Sequence, residues 1–197
     1  MEQALHHSLT IVAVAVLIWA QRRLALPYSS FLLIVVFLAL HTVAARWLYS
    51  AVPYDEWTEA LFGLRLGETL GWQRNNFDRL VHFAYGVCLA PVLWRFFVDR
   101  LRWRRGWAAL AAVDVVLSSG ALYELFEWGI ALALSPETAE AYNGQQGDQF
   151  DPHKDMAIAV LGAVLAMVAA LAASRRRSRS RLEDMSSGSG TSLATTM

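Results

Sequence analysis

Gly147-Asp148-Gln149-Phe150-Asp151-Pro152-His153-Lys154-Asp155-Met156 closes a polar loop and opens the last apolar run of the chain. Asp148, Asp151 and Asp155 stand at i, i+3 and i+7, the spacing of one helix face, beside a segment apolar enough to enter a bilayer. Asp151-Pro152 reads as a helix start, because aspartate accepts free backbone N–H groups and proline is preorganised at the first helical position. Asp155 lies one turn further in and has no such capping role. Glu124 and Glu127 lie inside the preceding apolar run, where ionisable groups are costly unless paired or functional. The pattern predicts that acids from separate parts of the chain meet at one end of a helical bundle.

Composition places that bundle in a membrane. Of 197 residues, 56% are hydrophobic and only 17% are charged, too few charges to surround so much apolar surface in water. The expected fold is therefore an all-α, multi-pass transmembrane bundle. Five apolar runs read as spans, at residues 4–20, 29–45, 80–98, 107–134 and 155–173, and residues 175–197 read as a basic, then disordered, cytoplasmic tail. The first run resembles a signal-peptide core with its charges reversed, since Glu2 precedes it and Arg22 and Arg23 follow, so it is kept as a span. Residues 46–79 are amphiphilic, with Trp47, Tyr49, Tyr54, Trp57 and Trp72 suited to an interface and a short surface helix expected over 55–66.

An outside N-terminus puts Arg46, Arg65, Arg74, Arg79 and Lys154 outside and every other Lys and Arg inside, which is the positive-inside bias. All the acidic motifs then face the extracytoplasmic side. Other classes lack support. Cys88 is the sole cysteine, which leaves no intramolecular disulfide. The one dense basic run has no interleaved aromatics, so no nucleic-acid partner is expected. H-E-x-x-H, G-x-S-x-G and P-loop motifs are missing.

Glu124 and Glu127, at i and i+3, share one helix face, ~15 Å and ~10 Å below the end of their run. Like charges at that depth call for a proton, an arginine or a cation. Arg74-Asn75-Asn76-Phe77-Asp78-Arg79-Leu80-Val81-His82 enters the third span from the same side, with Asp78 and His82 at i and i+4. Asp148, Asp151, Asp155, Glu127 and His82 form the expected metal-ligand set, and Glu124, Glu127 and His82 are the candidates for catalysis. Arg74, Asp78 and Arg79 are the expected polar network. Oxygen donors with an imidazole suit Mg²⁺, Mn²⁺ or Zn²⁺. His41 reads as a helix-to-helix hydrogen bonder, His153 and Lys154 as rim residues, and His6 and His7 as terminal surface residues.

Three segments together resemble the YjdF-like family of bacterial inner-membrane proteins: Arg74 to Arg79 with His82-Phe83; Tyr123-Glu124-Leu125 with Glu127-Trp128; and Gly144 with Gln146-Gly147-Asp148, Asp151 and Asp155-Met156. The resemblance covers residues 22–173. It implies a compact multi-pass protein of the bacterial inner membrane and brings no assigned reaction. The chain departs from the family pattern where Arg46-Trp47-Leu48-Tyr49 replaces a common His-Tyr-Thr-Tyr run, and where Phe150 replaces tryptophan.

Three functional readings stay open. A divalent ion held by the acids could act on a lipid-linked or other small substrate; the glutamates could carry a proton or cation across the membrane; or acids and arginines could form a packing network. Carboxylates converging on one point favour the first, and acids bidentate to arginine favour the last.

Overall fold

The structure, a computed structural model, describes residues 2–135, 139 and 143–190. Seven helices cover most of the described chain: α1 Glu2–Leu24, α2 Tyr28–Arg46, α3 Tyr54–Phe62, α4 Leu66–Thr69, α5 Phe77–Asp99, α6 Arg105–Ala133 and α7 Asp151–Gly190. Among the described residues, α2, α5, α6 and the Asp151–Arg176 part of α7 are long and apolar enough to cross a membrane. Helix α1 packs along α2 and turns Ile11, Val12, Val16 and Trp19 outward. About five spans therefore describe the molecule.

Local chemistry explains the boundaries. Pro27, at φ −55°, preorganises the start of α2, and Gly63, at φ +70°, ends α3 in the left-handed conformation a side chain resists. The expected surface helix over 55–66 is split into α3 and α4. Asp55 accepts the Gly67 N–H at 2.7 Å across the break. Helix α5 starts at Phe77, three residues before the expected span, and α7 starts at Asp151, four before it. Helix α7 also continues past Ala173 to Gly190, through serine, arginine and other residues that contain no proline to stop it. The side chains of His6 and His7, and residues 191–197 of the expected tail, lie outside the described residues.

Helix α5 is the hub, packing against α2, α6 and α7. Its contact with α6 and α7 is built from small residues: Ala90, Ala109, Ala112, Val116, Ala159, Ala163 and Met167 are buried together. A Cβ on Gly86 would sit 2.7 Å from the Ala163 nitrogen and overlap the Ala159 carbonyl, so α5 and α7 approach with no side chain between them. A second buried group, Ala44, Val52, Phe77 and Val81, seats the chain after α2 on the first turns of α5. Leucines and valines on the outer faces of α6 and α7 stay exposed, which lipid satisfies and water would not.

Candidate functional site

The acids and arginines meet where α5 and α7 begin and α6 approaches its end, and they fall into two groups. The outer group is a lattice. Arg74 donates to Asp78 and to both oxygens of Asp151, the second at 3.2 Å, and also reaches the Gln145 carbonyl at 3.3 Å. Arg79 donates to Asp148 at 3.0 Å and to Asp151 at 2.9 Å. Lys154 donates to Asp148 at 2.6 Å. Charge-assisted, partly bidentate bonds of this kind suit buried carboxylates. Asp151 therefore gives its oxygens to two guanidiniums, where the sequence suggested a backbone cap. Asp148 does fold over the mouth of α7, accepting the Phe150 N–H at 3.1 Å.

The loop before α7 is pinned to the segment before α5. Gln146 and Asn75 exchange bonds, each at 3.0 Å, and Asn75 donates to the Val52 carbonyl at 2.8 Å. The turn needs left-handed backbone at Gly144 and Gly147, φ +64° and +80°, which explains glycine at both positions.

The inner group is different. His82, Glu124 and Asp155 each present a ligand atom within 4.8 Å of the others. Asp155 is 5% exposed, and its Oδ1 is buried without a hydrogen-bond partner; the nearest cation, the Arg79 Nε, is 4.0 Å away and is itself unpartnered. Donors around a divalent ion at ~2.1 Å stand roughly 3–4 Å apart, so a small contraction would bring these three to that spacing. Asp78, Asp151 and Asp155 also lie within 4.8 Å of one another, but Arg74 and Arg79 already hold the first two. Of the expected ligands, Asp155 and His82 are in the inner group, Glu127 lines the space beside it, and Asp148 and Asp151 are in the lattice. Asp78 pairs with Arg74 and not with the His82 imidazole.

That space is a cavity of about 270 Å³ running from the inner group toward α2. Asp78, His82, Tyr85, Glu127, Asn143 and Asp155 line it, with His41 and Tyr49 on the far wall. His41 is hydrogen-bonded to Thr10 at 2.9 Å and to the Tyr49 hydroxyl, which Leu48 and Tyr49 swing inward by taking φ of +50° and +60°. Tyr85 and Ser119 share a hydrogen bond of 2.6 Å, and the Asn143 amide donates to the Glu127 carbonyl at 3.3 Å while its buried Oδ1 lacks a partner. Sequence reading did not place Tyr49, Tyr85 or Asn143 here. The one available signal was a polar residue inside an apolar run, and Tyr85 alone carries it.

A curated protein of Escherichia coli (strain K12), "Inner membrane protein YjdF", is 33% identical over 159 residues, covering 80% of this chain and 72% of that protein. No solved structure matches the chain. A family model described as "Predicted membrane protein (DUF2238)" matches residues 1–176, so the chain belongs to that family of membrane proteins.

Proposed function

We propose that this protein is a bacterial inner-membrane enzyme that binds a divalent ion through His82, Glu124 and Asp155 and acts on a phosphoryl or acyl group of a lipid-linked substrate. The observation that carries the reading is the Asp155 oxygen, buried without a donor beside two further ligands, in a molecule that supplies arginine to every neighbouring aspartate. An ion there would polarise the substrate oxygen and lower the pKa of a water. Glu127, on the cavity wall and one turn from Glu124, would accept the proton of that water. The aromatic and apolar parts of the wall would hold the substrate's hydrocarbon neighbour.

The packing-network reading has its own support in the lattice, and the two fit together: Arg74 and Arg79 fix the helix ends, and the inner group does the chemistry. Metal analysis of detergent-purified protein tests the proposal. About one divalent ion per chain is expected, lost in Asp155→Asn and Glu124→Gln and kept in Asp148→Asn. Metal-free protein from every preparation would overturn it. Bound metal with ion flux in sealed vesicles and no turnover would shift the function to transport.

A further inference from the structure

The opposite end of the bundle carries a second feature, unrelated to the acids. Helix α6 begins at Arg105, and the span of α7 ends at Arg176, so both meet the same membrane surface. Between them lies a cleft of about 790 Å³, lined by Arg105, Gly106, Leu171, Ala172, Arg175 and Arg176. Among the described residues, none of these three arginines makes an ion pair or a side-chain hydrogen bond. Asp99 and Asp114, the acids nearest Arg105 along the chain, pair with none of them, and the side chains of Glu183 and Asp184, which follow Arg176, lie outside the described residues. The Arg105 backbone is fixed all the same, because the Trp94 indole donates to its carbonyl at 3.1 Å. Just before and after Arg105 in the chain, Trp103 and Trp107, 46% and 64% exposed, line a separate groove with Arg102 and Arg104.

Positive charge at a membrane surface is ordinary, and by itself it marks only orientation. The cleft adds two things. Three arginines line it with no carboxylate beside them among the described residues, and Leu171 and Ala172, which complete its apolar side, belong to the span itself. A soluble anion would match the arginines and leave the apolar side unused. A phospholipid matches both, with its phosphate among the arginines, its acyl chains along α6 and α7, and the tryptophans at headgroup depth.

We propose that this cleft is a binding site for an anionic phospholipid, held by Arg105, Arg175 and Arg176, which ties α6 to α7 at the basic end. The test is thermal unfolding of the full-length protein in neutral detergent. Added phosphatidylglycerol should raise Tm by roughly 5 °C, while phosphatidylcholine and inorganic phosphate should not. R105Q/R175Q/R176Q should lose most of the rise, and R22Q/R23Q, which removes charge from the same end outside the cleft, should keep it. Should the triple variant fail to fold, R175Q alone and mass spectrometry of the wild-type protein replace it, with anionic lipid expected to co-purify and R175Q to weaken it several-fold. An equal rise with phosphatidylcholine, an equal rise with inorganic phosphate, or an undiminished rise in the arginine variants would overturn the proposal.

Discussion

Arg74 stands between two carboxylates that water hardly reaches, Asp78 at 7% and Asp151 at 2% exposure. Removing a guanidinium from such a place leaves Asp78 desolvated without its ion-pair partner and Asp151 with Arg79 alone, a loss on the order of 3–5 kcal/mol. Arg74→Ala should therefore lower Tm steeply in detergent, and Arg74→Lys should recover little, because an ammonium cannot span Asp78 and both oxygens of Asp151 at once. An alanine variant as heat-stable as the wild type would show that the lattice does not hold the helix ends. Asp148, outside the spans, behaves differently. The Lys154 hydrogen bond first, and then the Phe150 N–H and Arg79, hold its carboxyl down at about 2. Its folded value lies below the unfolded one of ~3.9. Its contribution is therefore complete above about pH 4 and is lost as pH falls through about 2. The Tm difference between wild type and Asp148→Asn should stay constant from about pH 5 to 8 and shrink only below about pH 4. A difference that faded between pH 6 and 7 would mean that this carboxyl is not held by its cations. The sequence showed which acids and arginines share one end of the bundle, because spacing and the order of the spans fix that. It did not show which acid takes which arginine. That depends on the rotation of α5 against α7, and rotation comes from packing.

Packing at the level of elements is set by residues that lack side chains. Gly86 lies one turn below His82 on α5, and Ala159 lies one turn below Asp155 on α7. The close approach of the first pair therefore fixes the distance between the second. Gly86→Ala should push the helices apart, cost roughly 1–3 kcal/mol, and weaken metal binding at the inner group together with stability. Gly129→Ala is the control, because a Cβ there meets nothing within 4 Å; it should not lower Tm. Titration of each variant with a divalent ion, alongside thermal unfolding, checks both. If Gly86→Ala kept full stability and affinity, the α5–α7 contact would not be what positions His82 and Asp155. Hydropathy located these helices well along their lengths and poorly at their ends. Charged turns such as 77–79 and 151–154 are helical yet look like loop to a pattern that counts apolar residues. The far wall of the cavity was illegible for a related reason: Tyr49 reaches His41 only because two successive residues adopt left-handed backbone, and no period announces that.

Across the whole molecule, the two ends of the bundle carry different chemistry, acids with their partners at one and an excess of arginine at the other. In a bilayer this polarity orients the protein, because arginine-rich connections resist translocation. The expectation is that the acidic end faces away from the cytoplasm. Alkaline phosphatase inserted between α3 and α4 should therefore be active, and inserted between α5 and α6 it should be inactive. Those two fusions do not count the spans, since α2, α5, α6 and α7 alone would give the same result. Helix α1 decides the count: if it crosses, the N-terminus lies on the acidic side, and if it does not, on the arginine side. Its packing along α2 and its outward Ile11, Val12, Val16 and Trp19 are what a crossing helix needs, and Arg22 and Arg23 at its far end match the basic surface. A short epitope placed before Glu2 should accordingly be accessible to antibody in spheroplasts without permeabilisation. Accessibility only after lysis would remove α1 from the spans and leave Thr10, the partner of His41, on a helix lying along the bundle without crossing it.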